Sequence, residues 1–438
     1  MSVTETDPNR AMAADRSAAE RAARPYDESD LSSMEFWSAT GEEREKTFAV
    51  LRAERPVSWH RPAAEPLIED PNDQGFWAVV RHADLIEVTK RHEDFLSGEG
   101  IVFDSVPQEL LDSAQGFIAM DPPRHTKVRR LLTAAFTPKQ MRRIEDEIKA
   151  NAKRVVDGIS KKGEVDFVTE VATLLPMHNI CDMLGVAEED RPMIVDIARI
   201  VGGYQDPEVM GGREVLPTLF ESMGKMREFV AGLIADRRAK PGTDLLTSLT
   251  EAEVDGEKLT DDEIISFFGL LMVAGNDTTR QSLSHGMKAL SDFPEQRAWL
   301  MEDFEGRIAT AVEELVRWAT PIMTFRRTAA RDCELNGTQI TKGDKVIMFY
   351  PSANWDTEVF DHPEQLDLAR HPNLHITFGG GGIHHCLGNQ LARLQIKALW
   401  DELLHRLPDI EVSGDMVCTR SNFFHGVNHL PVRFTPES

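Results

Sequence analysis

Cys386 stands in the run Phe378-Gly-Gly-Gly-Gly-Ile-His-His-Cys386-Leu-Gly388, directly ahead of a segment, Asn389 to Arg406, whose Leu391, Leu394, Leu399 and Leu403 mark an amphipathic helix. A cysteine at a helix N-terminus meets the positive end of the dipole and unpaired backbone N–H groups, which favour thiolate over thiol and prepare the sulfur for iron. The glycines let the backbone approach a flat ligand. Three other chemistries compete at this point. A buried, inert cysteine needs nothing more. A phosphate loop lacks the Lys-Ser/Thr that should follow its glycines. A zinc site built on His384, His385 and Cys386 needs ligands from elsewhere, because adjacent residues do not easily share one tetrahedron.

A second segment is chemically unusual. Thr260-Asp-Asp-Glu263 is a capping-box pattern, and apolar periodicity runs from it to about Leu290, ahead of Pro294. This predicts a helix of roughly 30 residues and ~45 Å. Its middle reads Ala274-Gly-Asn-Asp-Thr-Thr279, mostly poor helix formers, at a cost of ~2–3 kcal/mol relative to alanine. A kink, or a surface turn between two shorter helices, is one explanation. A functional demand on the site is the other. Thr278 and Thr279 stand about 100° apart on such a helix, so only one is expected to face a ligand. Glu314 and Arg317, at i and i+3, and His125 and Arg129, at i and i+4, each share a helical face. Either pair taken alone would be ordinary surface.

The cysteine loop resembles the haem-binding signature of cytochromes P450, with Gly382, His384, Cys386 and Gly388 in its fixed places. The signature's aromatic falls on Gly379, and Phe378 lies one position earlier, a four-glycine form shared with the actinobacterial steroid and branched-lipid branch. The resemblance implies haem b with Cys386 as the iron ligand and dioxygen as cosubstrate. The helix centre then matches the oxygen-activation motif, which assigns Ala274 and Gly275 to the groove that admits dioxygen, Asp277 to proton supply and Thr278 to the hydrogen bond on bound oxygen. Glu314 and Arg317 match the structural E-x-x-R pair. Asn354 to Arg370 resembles the segment that follows, with Asn354, Asp356, Phe360, Pro363 and Asp367 in place and Gln365 where an arginine is usual. His125, Arg129, Arg327 and His384 match the propionate-binding positions.

The elements that must position these residues are mainly helical, with small β-sheets. A strand at Phe76 to Val80 leads into a helix over Asp84 to Lys90, helical patterns dominate from Pro123 to about Leu407, and strands recur at Cys333 to Ile340, Lys345 to Tyr350 and around Leu430 to Phe434. Without a fixed-period repeat or Ser/Gly linker, residues 31–438 form one large domain, of cytochrome P450 fold if the resemblance holds, behind a flexible polar tail over 1–30. The 438 residues carry 73 Asp and Glu against 49 Lys and Arg, a net charge of −24 that argues against nucleic acid as a partner. Four scattered cysteines, no leader and no apolar run of spanning length suggest a cytoplasmic protein without a membrane anchor.

The resemblance further implies a monooxygenase that hydroxylates unactivated C–H bonds, terminal methyls in particular, of a hydrophobic substrate such as a methyl-branched lipid, an isoprenoid or a steroid side chain. Gly275 to Arg280, Val316 to Ala319, Phe424 to Val427 and Leu430 to Val432 carry the likeness to that branch, with Asp277 in place of its common glutamate. Expected substrate contacts are Met120, Phe267, Leu271, Ile322, Met323, Phe423 and Phe424. Electrons would come from a ferredoxin and its NAD(P)H-dependent reductase, with Lys127, Arg130 and Arg393 as candidate docking residues. A monoterpenoid hydroxylase of a neighbouring branch shares these motifs. A haem-binding sensor or a peroxygenase would use Cys386 without needing Thr278.

Overall fold

A computed structural model of the chain describes residue 21 and residues 23–104, 116–136 and 138–438, the side chains of 138 and 139 excepted. Most of the expected tail lies outside these residues. Its described part is fastened to the body: Arg21 Nε and Arg24 Nη1 each reach the Asp344 carboxylate at 2.6 Å, and the Asp27 N–H donates to the Trp59 carbonyl at 2.7 Å. Arg21 and Arg24 thus pair with a buried anion of the body.

Five strands form the larger sheet: β1 (Val57–His60), β2 (Phe76–Val79), β3 (Phe95–Leu96), β4 (Thr324–Ala329) and β5 (Lys345–Phe349). Their order is β1-β2-β5-β4-β3, with β2 and β5 parallel and the other neighbours antiparallel. The strand expected at Phe76 and the one at Lys345 are thus neighbours, Lys345 opposite Phe76. The interior strand β4 carries no strand signal in the sequence because Arg326 and Arg327 interrupt its apolar character. Both are nonetheless buried. A short hairpin over Cys333–Leu335 and Thr338–Ile340 matches the third expected strand region.

The helices that concern the site are α1 (Arg124–Ala135), α2 (Leu174–Leu184), α3 (Arg191–Gly203), α4 (Asp261–Asp292), α5 (Phe304–Ala319) and α6 (Asn389–Arg406). The capping box forms in both halves, with Glu263 N–H on Thr260 Oγ1 at 3.2 Å and Thr260 N–H on Glu263 Oε2 at 2.9 Å. From there α4 runs 32 residues without a break. The poor helix formers at its centre produce neither a surface turn nor two shorter helices, since burial on nearly every side from Asn276 to Leu290 outweighs intrinsic propensity. Two apolar clusters meet along α4, one around Leu283, Met287, Leu315 and Trp400, the other around Phe268, Met272 and Ile180. No described helix is long and apolar enough to cross a membrane.

Candidate active site

A cavity of about 560 Å³ opens between α4, the cysteine loop and the turn at Ser421–Phe424. Its walls are mostly apolar and include Phe267, Leu271, Ile322, Phe423 and Phe424. Met120 and Met323, expected there, do not border it. Ile322 bridges to Phe424, and because neighbouring residues of an extended segment face opposite ways, Met323 turns into the core beside Trp37 and Phe349. Met120 packs on the cluster around Ile180.

Cys386 borders the same cavity, together with Phe378, Gly379, Gly382, His384 and Gly388. The loop's glycines are required by its backbone. Gly379, Gly380 and Gly381 have φ of 98°, 63° and 87°, and a Cβ on Gly382 would stand 2.0 Å from the Thr89 carbonyl. The loop closes on itself through the Cys386 N–H, which donates to the Phe378 carbonyl at 2.9 Å. Asn389 Nδ2 and Arg129 Nη2 donate to the Cys386 and His385 carbonyls, each at 2.7 Å. Helix α6 begins only at Asn389, three residues beyond the sulfur. Burial pushes the Cys386 thiol up, and this outweighs the Gly388 N–H, Arg129 and Arg393, which act the other way. The expected bias toward thiolate from the helix end is therefore overcome by desolvation in the bare chain. The Phe378 ring carries the Arg393 guanidinium at 4.3 Å.

Four basic side chains crowd one side of this pocket. His125 and His384 lie with ring centroids 4.2 Å apart, and Arg129 and Arg327 border the cavity. Both ring nitrogens of His125 and Nδ1 of His384 are buried without a partner. Arg327 Nη1 donates to the Arg326 carbonyl at 2.7 Å. Burial, reinforced by the neighbouring cations, lowers His125 to about 4 and His384 to about 2. Orphaned donors and uncompensated cations are costly in a protein interior unless an anion joins them. An apolar slot walled by glycines, a cysteine on one side and this basic cluster at its rim fit a flat macrocycle bearing two carboxylates. Among the described residues no three His, Cys, Asp or Glu side chains converge on a metal position, so the zinc alternative lacks its further ligands.

On α4, Ala274, Gly275, Thr278 and Thr279 all border the cavity. The expectation that only one threonine faces it is corrected, because the cavity wraps around enough of the helix to touch both. Thr278 Oγ1 donates to the Ala274 carbonyl at 2.6 Å, whereas the buried Thr279 hydroxyl has no partner. Gly275 has a packing duty as well: a Cβ there would stand 2.8 Å from Ile180 Cδ1 on α2. Asp277 is buried but does not border the cavity. Its carboxylate points toward α3, with Oδ1 2.9 Å from Arg280 Nη2, and Oδ2 fills the space where a Cβ of Gly202 would be. Burial pushes the Asp277 carboxyl up, against the pull of Arg280. Gly202, which makes room for this carboxylate, carried no signal in the sequence.

Behind the cysteine loop, Glu314 and Arg317 are fully buried and doubly bonded, at 2.8 and 2.7 Å. Arg317 also donates to the carbonyls of Asn354 and Pro363. The third cation, missing at Gln365, is Arg370, whose Nε reaches the Glu314 oxygens at 3.2 and 3.1 Å. Asn373 and the Asp367 N–H add two more donors. Burial alone would raise the Glu314 carboxyl, but Arg317 and these neighbours hold it below its usual range. The candidate docking cations are paired in place: Lys127 with Glu257 at 2.7 Å, Arg130 with Asp255 at 3.0 Å, and Arg393 with Glu313 at 2.5 Å.

The chain matches the family model "Cytochrome P450" over residues 74–429. It is 39% identical over 417 residues to the methyl-branched lipid omega-hydroxylase of Mycobacterium tuberculosis (strain ATCC 25618 / H37Rv), covering 94% of this chain and 96% of that protein. It is 38% identical over 403 residues to the steroid C26-monooxygenase of Rhodococcus jostii (strain RHA1), covering 89% and 82%. Among solved structures, Mycobacterium marinum cytochrome P450 CYP268A2 in complex with pseudoionone superposes with a TM-score of 0.90 at 55% identity, covering 94% of this chain and all of that one. A sulfur at the foot of an apolar cavity, backed by a buried E-x-x-R network and matched over nearly its whole length by such relatives, makes this chain a member of the cytochrome P450 family and a monooxygenase.

Proposed function

We propose that this monooxygenase hydroxylates a terminal methyl, or another unactivated C–H bond, of a methyl-branched lipid, an isoprenoid or a steroid side chain. The relatives named for branched-lipid and steroid oxidation support this reading, as does an apolar cavity whose walls suit a long hydrocarbon. One observation carries it: Cys386, four residues of the α4 centre (Ala274, Gly275, Thr278 and Thr279) and the basic side chains Arg129, Arg327 and His384 all border one cavity, with the orphaned His125 ring packed on His384.

In this reading Cys386 would supply the sulfur that binds the iron of haem b, and Arg129, Arg327, His125 and His384 would hold its two carboxylates by charge-assisted hydrogen bonds. The bound haem supplies dioxygen activation assisted by thiolate donation. On α4, Ala274 and Gly275 leave space, and the Thr278 hydroxyl, its proton given to the Ala274 carbonyl, offers its oxygen as an acceptor to a group in the cavity. Asp277 supplies protons from behind α4, its carboxyl lying between Arg280 and Gly202 rather than in the cavity itself. Phe267, Leu271, Ile322, Phe423 and Phe424 hold the substrate and exclude water. Electrons arrive from a ferredoxin served by an NAD(P)H-dependent reductase in the cytoplasm, docking over α1 near Lys127 and Arg130.

The test is spectral. The reduced, carbon-monoxide-bound protein should show the red-shifted band of a sulfur-ligated haem, and Cys386→Ser should abolish it. Titration of the ferric protein with branched fatty acids, terpenoid alcohols and steroid ketones should then give the substrate-type shift with one of these classes. A normal band together with no response to any of them would refute the substrate assignment.

A further inference from the structure

Beyond α3, Tyr204 and Gln205 interrupt the apolar wall of the cavity. The Tyr204 hydroxyl lies 3.4 Å from Asp104 Oδ2, at the outer limit of a hydrogen bond. Asp104 is only 2% exposed, and its other carboxylate oxygen has no partner. The Leu67 N–H also bonds this carboxylate, and Leu67 and Tyr204 border the cavity while Asp104 does not, so the carboxylate sits just behind the wall. Of the cations nearby, neither Arg326 nor Lys345 borders the cavity, and Arg326 Nε is buried without a partner. Arg326 donates to the Asp104 backbone carbonyl and to Thr328 Oγ1, each at 3.3 Å, and Lys345 is paired with Asp73. Gln205 Oε1 accepts from Ser421 Oγ at 3.3 Å and from the Asn422 N–H at 3.2 Å, while its Nε2 has no protein partner among the described residues.

A buried carboxylate oxygen left bare beside a poorly bonded phenol is an unfavourable arrangement for a wall with nothing to bind. We propose that Tyr204, Gln205 and Asp104 form a polar subsite that takes an uncharged oxygen function of the substrate, a hydroxyl or a ketone, and turns away a carboxylate. Tyr204 and the Gln205 amide supply donors to such an oxygen. A hydroxyl can in turn give its proton to the phenolic oxygen while the Tyr204 O–H stays on Asp104. An incoming carboxylate at Tyr204 and Gln205 would come close to the Asp104 charge behind the wall, and like charges in a desolvated site repel. Desolvation pushes Asp104 up to about 6, so it remains an anion at mildly alkaline pH.

This inference rests on the chain-like substrate proposed above. Its test is a ferric spectral titration at pH 8 with four ligands sharing one branched chain and ending in methyl, alcohol, methyl ketone or carboxylate. Tyr204→Phe should weaken the alcohol and ketone ligands about 3- to 10-fold, the size of one neutral hydrogen bond, and leave the methyl-ended ligand within about twofold. Asp104→Asn should tighten the carboxylate-ended ligand. Should that second variant not fold, the Tyr204→Phe series decides by itself. Equal weakening of all four ligands by Tyr204→Phe, or no weakening of any, overturns the subsite while leaving the substrate class intact. If none of the four binds the unmodified protein, the substrate class falls and the subsite with it.

Discussion

The two sides of the cysteine loop differ in how completely their polar groups are satisfied. Behind it, both Glu314 oxygens accept from Arg317, Arg370, Asn373 and the Asp367 N–H, and Arg393 lies between Glu313 and the Phe378 ring. At the cavity wall or packed directly behind it, His384, Thr279, His125 and Asp104 keep buried atoms without partners. Buried polar groups are normally satisfied, and on the support side only the Asn373 Oδ1 of this network lacks a partner among the described residues, so the contrast separates a support whose charges are matched within the protein from a wall that is completed by what binds there.

That contrast predicts where substitutions will be felt. Glu314→Ala strands two buried guanidinium groups and should destabilise the protein by about 3–5 kcal/mol whether or not haem is bound. Denaturant unfolding of both forms measures this, and a cost confined to the haem-loaded form would erase the distinction. On the cavity side the effect should reverse: Arg327→Leu should leave the haem-free chain as stable as before while weakening haem retention about 10- to 100-fold, the worth of one charge-assisted hydrogen bond. Haem transfer to an apo-globin acceptor provides the readout. Thr278→Ala should lower product formed per oxygen consumed about tenfold, with melting temperature nearly unchanged because the lost bond runs only to its own helix.

The smallest effect concerns acid. Burial would raise Glu313, but His375 and Arg393 together outweigh it and hold it at about 2. A depressed carboxyl contributes stability that is present above its unfolded value near 4.5 and is lost as pH falls toward 2. In denaturant unfolding Glu313→Gln should therefore lower stability near pH 7 and flatten the profile within that window, the two proteins converging as pH falls toward 2.

Much of this was legible beforehand. The loop glycines, the capping box of α4 and the spacing of Glu314 and Arg317 are local patterns, and local patterns survive in a one-dimensional reading. What escaped depends on distant pairings. Arg370 stands in for Gln365 because the chain folds it back onto Glu314, a relation fixed by tertiary contact rather than by the motif. Strand β4 was hidden by its arginines, and the inward or outward turn of Met323 depended on a register with the Ser421–Phe424 turn. Gly202 is a small residue whose meaning lies entirely in the Asp277 carboxylate opposite it.

The Asp344 carboxylate, fully shielded, accepts from Arg21, Arg24, the Trp77 indole and the Thr341 N–H. A truncated variant starting at residue 31 would remove two of those four donors and leave an anion half-solvated beneath the sheet edge. Trimming this enzyme for crystallisation or fusion should therefore stop short of Arg21, and a tag joined there would inherit a rigid mooring beside β2 and β5.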